Sequence, residues 1–358
     1  MKIYSRIVPY VLHFKFDAGT SRGVLREKNT WFWVLEDESG RRGIGECGPL
    51  KGLSVDDRPD FEKRLEALSS QLAGAELPDR IEEVFGFAER YCPEELPSAR
   101  FGLETALLDL LQGGRRLIFD TPFYAGREEL PINGLIWMGS REFMLEQIKA
   151  KLEAGFDTIK MKIGAIGFEE ECELLGYIRR HFSEEVITLR VDANGAFSAN
   201  EAMDKLEKLA SFGLHSIEQP IRAGQPEEMY RLCRKTPVPI ALDEELIGLA
   251  GEEKAELLDA IAPQFIILKP TLVGGMASSR EWIRLAEDRN IGWWLTSALE
   301  SNIGLNAICQ FCSSLHTRMP QGLGTGQLYT NNVDSPLAVE CGKVKYCPEL
   351  LWGDFGVY

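Results

Sequence analysis

The chain has 358 residues, 44% of them hydrophobic and 27% charged, with a formal net charge of −15. That is room for one large α/β barrel with an appendage or for two ordinary domains, and the acidity argues against nucleic acid or an anionic membrane surface as a partner. No apolar run approaches the roughly 20 residues that span a bilayer, and the basic start MKIYSRIVPYVLHFKF alternates like a strand rather than a signal peptide, so a cytoplasmic protein with eight reduced cysteines is expected.

Residues 1 to about 48 alternate in polarity as strands do, and WFWVLEDESGRRGIGECGP predicts a hairpin turning near Ser39-Gly40. From about 55 to 114 the pattern becomes helical. In RFGLETALLDLLQGG an apolar stripe of Phe101, Leu103, Ala106, Leu107, Leu110 and Leu111 ends at Gly113-Gly114, a helix stop. Strands followed by helices make an α+β block.

Near Pro131 the pattern changes to short strand-like runs separated by longer helical ones. The runs are INGLI, TIKMKIG, ITLRVDANG, HSIEQPI, PIALDEE, FIILKP, GWWLTSA and the segment around QGLGTG. Eight such units predict a closed parallel (β/α) barrel. An open doubly wound sheet would carry a Gly-rich dinucleotide turn after its first strand, and no G-x-G-x-x-G follows INGLI. From about 328 onward there is no further βα unit, and this tail is expected to pack back on the N-terminal block. Cys309 and Cys312 form a lone C-x-x-C within a helical pattern, so they read as structural. His13, His181, His215 and His316 show no ligand spacing and read the same way.

The chemistry lies in the strand phases. Side chains alternate faces along a strand, so Ile159, Met161 and Ile163 share the face under the helices while Lys160 and Lys162 point into the barrel. Two inward ammonium groups are costly without carboxylates to meet them, and their repulsion lowers a lysine pKa toward that of a useful base. The carboxylates follow in the same phase. Arg190, Asp192 and Asn194 share the inward face of the next strand, and Glu218, Asp243 and Lys269 end the three after it. Asp192, Glu218, Asp243 and Lys269 succeed one another at 26, 25 and 26 residues. That is about one βα unit of a barrel of roughly 250 residues, which sets all of them at the mouth where barrels carry their chemistry. Any single one could be a capped or salt-bridged strand end; five charged residues on consecutive strands in one phase are not explained that way. Three carboxylates at one point need a cation. A ligand set of hard oxygens suits Mg²⁺, with Mn²⁺ as a substitute, and leaves positions open for a substrate carboxylate whose enediolate the ion can stabilise.

Lys160-Met161-Lys162 followed by Asp192, Glu218, Asp243 and Lys269 resembles the muconate-lactonizing subgroup of the enolase superfamily, over nearly the whole chain. The likeness includes Gly45-Glu46-Cys47-Gly48-Pro49-Leu50. It implies a modified TIM barrel at 126–327 with an α+β capping domain at 1–125, and a C-terminal segment at 328–358 packing on that cap. Within the subgroup, LRVDANGAF, ALDEELIG, LTSALESNIGLNA and GLGTGQLYTNN most resemble the o-succinylbenzoate synthases. The resemblance implies a metal-dependent dehydratase of menaquinone synthesis acting on a small carboxylate, with an N-succinylamino acid racemase or related cycloisomerase as the alternative. It leaves homo-oligomerisation open. Lys162 would be the base and then the acid, and Lys269 would stabilise the enediolate from the opposite face. Asp192, Glu218 and Asp243 would bind the metal, while Lys160 would depress the pKa of Lys162. Arg190 and Asn194, then Ser297, Glu300, Gly324 and Thr325, would line the substrate site. The loops around Gly19-Thr20-Ser21 and Leu50-Lys51-Gly52-Leu53 would cover the mouth. The subgroup's dipeptide epimerases usually carry an acidic Asp-x-Asp pair where this chain has Gly324-Thr325-Gly326, which argues against a substrate with a free amino group.

Overall fold

The computed structural model describes residues 2–20 and 23–356. Three strands, β1 (Ile3–Thr20), β2 (Gly23–Asp37) and β3 (Arg42–Cys47), form an antiparallel sheet in that order. The β2–β3 turn closes where the sequence places it, the Gly40 N–H donating to the Asp37 carbonyl at 2.9 Å. Gly19 and Thr20, expected in a loop, are the last residues of β1, and Ser21 lies outside the described residues.

Helices α1 (Phe61–Leu72), α2 (Ile81–Tyr91) and α3 (Pro97–Leu111) follow. The stripe expected on α3 is in fact burial on nearly every side, Glu104 and Asp109 included. One side packs on β3 at backbone distance: a Cβ added to Gly45 would stand 1.8 Å from the Gly102 carbonyl oxygen. Only paired glycines allow that approach.

The remainder alternates strand and helix after a short β4 (Glu129–Pro131). The units run β5 (Gly134–Ile136), α4 (Arg141–Glu153), β6 (Thr158–Lys162), α5 (Phe168–His181), β7 (Thr188–Asp192), α6 (Ala199–Ala210), β8 (Leu214–Glu218), α7 (Pro226–Lys235), β9 (Ile240–Leu242), α8 (Glu253–Ile261), β10 (Phe265–Leu268), α9 (Pro270–Val273), α10 (Gly275–Glu287), β11 (Gly292–Leu295) and α11 (Asn302–Ser314). Strands β5 to β11 make one parallel sheet in sequence order. The expected eighth strand contracts to two residues. Gln321 bridges Ile132 and Gly322 bridges Thr296, both in parallel, so this dipeptide joins the first strand to the last and closes the ring. Ile159, Met161 and Ile163 are fully buried beneath the helices, in the phase that alternation requires.

The tail forms β12 (Leu337–Glu340) and β13 (Lys343–Tyr346), a sheet completed by β4 rather than by β1–β3. Beyond it, Trp352 and Phe355 pack on Phe32, Val34 and Ile44 of the first sheet. Cys309 and Cys312 lie inside α11, buried in the main core, where burial pushes both thiols up. No helix of the described residues is long and apolar enough to cross a membrane.

Glu104 joins α3 to the barrel. Its carboxylate accepts the Met276 N–H at 2.5 Å at the start of α10, and burial raises its pKa from the usual 4.5 to about 8. A raised carboxyl favours the fold while it stays protonated, so its contribution is complete below pH 4.5. It is lost as pH rises through about 8, a swing on the order of 5 kcal/mol. Glu104→Gln keeps an acceptor for the N–H without the titration. Thermal melts from pH 4 to 9 are expected to show the wild type losing stability relative to the variant across that window.

Candidate active site at the barrel mouth

Strand register brings the charged residues together. Lys162 pairs across with Asp192, and Asp192 with Glu218, on three adjacent strands. Asp243 and Lys269 are the residues immediately after β9 and β10. All five are buried, as is Lys160. Counting β5 as the first strand of the ring, β6 is second and β10 sixth. Lys162 and Lys269 therefore stand on opposite sides of the barrel, with the carboxylates on the strands between them.

Each carboxylate is met by an ammonium group. Lys160 Nζ lies 3.1 Å from Asp192 Oδ2 and bonds Glu218 Oε2. Lys162 Nζ donates to Asp192 Oδ2 and to Asn194 Oδ1, both at 2.8 Å. Lys269 Nζ donates to Asp243. Burial works against the Lys160 ammonium, but Asp192 and Glu218 outweigh it and hold its pKa above the lysine range. The repulsion expected between Lys160 and Lys162 is thus answered for Lys160 by carboxylates. Burial likewise opposes the Asp192 charge, and Lys160 and Lys162 outweigh it and hold its pKa well below the usual range. Burial, reinforced by the Asp192 charge, pushes Glu218 up to about 7. Burial raises Asp243 as well.

Among the described residues no three acidic, histidine or cysteine side chains stand together as an assembled metal centre. One oxygen of each of Asp192, Glu218 and Asp243 is turned to a lysine instead. The residues nonetheless fit a divalent ion by two tests. The donors are hard carboxylate oxygens with no thiolate or imidazole among them. Glu218 Oε1 is buried with no hydrogen-bonding partner among the described residues, an acceptor that only a cation or a donor would complete.

A cavity of about 960 Å³ opens over this floor. Lys160, Lys162, Asp192, Asn194 and Lys269 line it from the barrel, with Ser297, Gly324 and Thr325 on the wall. From the N-terminal sheet and the turn after it come Thr20, Gly23, Lys28, Leu50, Lys51 and Gly52.

Two expected lining residues are not on its surface. Arg190 is 2% exposed; it donates to the Pro320 carbonyl at 2.8 Å and lies over the Trp294 ring at 4.2 Å. One strand alternation before Asp192 is a layer deeper in the barrel, and Arg190 fills that layer. Glu300 is fully buried and bonded by Thr271 and Ser297. It orients Ser297, whose hydroxyl in turn accepts from Thr325 at 2.8 Å.

Several participants lie outside the inward phase of strands β6 to β10. Glu244 accepts from Asn194 Nδ2 at 3.1 Å and so steadies the amide that holds Lys162. Gln219 Oε1 accepts the Asp243 N–H at 3.2 Å. Asn133, at the end of the short run before β5, lines the cavity, and its strand phase was the one signal available. Glu46, from the Gly45-Glu46-Cys47 segment, is fully buried. It accepts the Ser301 N–H and the Gly304 N–H at 2.9 Å each, fixing the first turn of α11 to β3.

Residues 144–349 match the family described as enolase C-terminal domain-like. An o-succinylbenzoate synthase from Desulfotalea psychrophila is 49% identical over 92% of this chain and 95% of its own. One from Thermosynechococcus vestitus is 30% identical over 81% and 82%. Among solved structures, MenC from Desulfotalea psychrophila superposes with a TM-score of 0.86 at 44% identity, covering 96% of this chain and all of that one.

Proposed function

Because this chain belongs to the enolase superfamily, we propose that it acts as an o-succinylbenzoate synthase. It would dehydrate 2-succinyl-6-hydroxy-2,4-cyclohexadiene-1-carboxylate in menaquinone biosynthesis, in the cytoplasm. The observation that carries the reading is the pair of lysines, Lys162 and Lys269, on opposite sides of one carboxylate cluster beneath a cavity. The likeness to relatives of that name supports it. In this assignment residues 1–125 make the α+β cap, 126–327 the catalytic barrel and 328–358 a C-terminal segment that packs on the cap.

Asp192, Glu218 and Asp243 would hold Mg²⁺, or Mn²⁺ in its place. Bound there, the ion would supply positive charge to the substrate carboxylate and so acidify the adjacent carbon. Lys162, as the neutral amine, takes the proton from that ring carbon, and the C–H electron pair becomes a ring double bond. The C–O bond of the neighbouring carbon breaks, and the hydroxyl leaves as water with the proton that Lys162 returns. Lys269 faces the charge that builds on the carboxylate. Lys160 holds Glu218 and Asp192 in place. Asn194 orients the Lys162 amine, and Ser297 and Thr325 present hydroxyls to the substrate. Thr20 and Leu50 to Gly52 shield the mouth from water. Aromatisation of the ring drives the elimination.

Purified protein with Mg²⁺ and this substrate is expected to form o-succinylbenzoate, read by its ultraviolet absorbance. Opposed lysines also suit two-base racemisation of N-succinylamino acids. Exchange of the α-hydrogen of either enantiomer in D₂O, without dehydration of the cyclohexadiene, would replace the lyase by the racemase.

A further inference from the structure

Lys28 of β2 is 5% exposed, and its ammonium has no hydrogen-bonding partner among the described residues. A buried, unpaired ammonium is costly and calls for an acceptor, which a bound ligand can supply. The neighbouring cation of the hairpin is not in this position: Arg26 is spent on Asp17, at 2.9 Å on the exposed face. Lys28 stands opposite Leu12 of β1 on the face turned to the barrel, and it lines the same cavity as Lys162, Asp192 and Lys269.

Its head group is accommodated by the chain below it. A Cβ at Gly48 would come within 2.5 Å of Lys28 Nζ and 3.0 Å of Thr30 Oγ1. The nearby carboxylate, Glu46, already has a full complement of donors. Its Oε1 takes the Thr30 hydroxyl and the Ser301 N–H at 2.9 Å each; its Oε2 takes the Ser301 hydroxyl at 2.5 Å and the Gly304 N–H at 2.9 Å. Glu46 therefore needs nothing from Lys28. On the barrel floor the lysines are matched by acids; among the described residues Lys28, on the cap side of the cavity, is a buried cation with no hydrogen bond or ion pair, its nearest carboxylate, Glu46, being already occupied.

We propose that Lys28 recognises a second carboxylate on the substrate, remote from the carbon that loses its proton, and so selects dicarboxylates. This builds on the function proposed above, whose substrate carries a succinyl carboxylate beyond its ring carboxylate. The catalytic end lies over Lys162 and Lys269, and the flexible arm reaches across the cavity to the cap. Lys28 is a specificity-determining residue and takes no part in the proton transfer.

The test uses the Mg²⁺-loaded enzyme and two probes: o-succinylbenzoate, and its derivative with the succinyl carboxylate converted to the primary amide. Lys28→Met is expected to weaken calorimetric binding of o-succinylbenzoate about tenfold or more, and to raise KM while kcat changes little. Binding of the amide should be the same in wild type and variant, and Lys28→Arg should recover most of the lost affinity. Equal loss for both probes would make Lys28 a packing residue and overturn the proposal, as would no change for either. Failure of the wild type to dehydrate the cyclohexadiene would overturn the proposed function alone. The role of Lys28 is then decided by the same two probes binding to wild type and Lys28→Met.

Discussion

Lys162→Ala is expected to lower kcat by about 10²–10⁴-fold or more, because proton removal and proton return are both assigned to one amine. The substitution should leave the fold intact. Lys162 sits at the edge of the charged cluster, and Asp192 keeps Lys160 at 3.1 Å when Lys162 is gone. The diagnostic result is therefore a collapse of kcat with little change in melting temperature and retained Mg²⁺ binding by calorimetry. Turnover within about tenfold of wild type would remove Lys162 from the role of base. Lys269, across the ring, would be the next residue to examine.

Glu218→Gln should be the second most damaging change. Glu218 stands between the other two acids, with one oxygen on Lys160 and the other, in a buried site, without a partner among the described residues. The amide keeps the shape and loses the charge that a divalent ion requires. Mg²⁺ affinity should fall, and kcat by about 10²–10³-fold, the scale on which an electrostatic stabiliser of the transition state contributes. Chelation of the wild type should abolish activity reversibly, with Mg²⁺ or Mn²⁺ restoring it. A variant that binds Mg²⁺ as wild type does and turns over normally would show that Glu218 is a structural acid serving Lys160.

Much of this was legible in one dimension because strand geometry is periodic. Alternation puts Lys160 and Lys162 opposite Ile159, Met161 and Ile163. Spacings of 25 and 26 residues then set Asp192, Glu218, Asp243 and Lys269 at the ends of successive strands. A two-residue period and a constant βα repeat are properties of the backbone, so pattern alone reaches them. What alternation cannot supply is depth. Arg190 shares its phase with Asp192 but sits one layer lower, against Trp294 and Pro320, and only the closed ring determines which layer faces the cavity. Nor can it supply the partners of isolated residues. Glu300 turns to Thr271 and Ser297, and Glu46 to a helix 255 residues later in the chain. The segment around QGLGTG marks the place of the eighth strand but not its length, since the two residues Gln321 and Gly322 suffice once the first and last strands are in place to receive them. The sequence by itself thus determined the barrel, its charged mouth and the phase of each acid and amine. Tertiary packing alone decided which of them reach the cavity, because that depends on non-local contacts between strands and loops that no local period records.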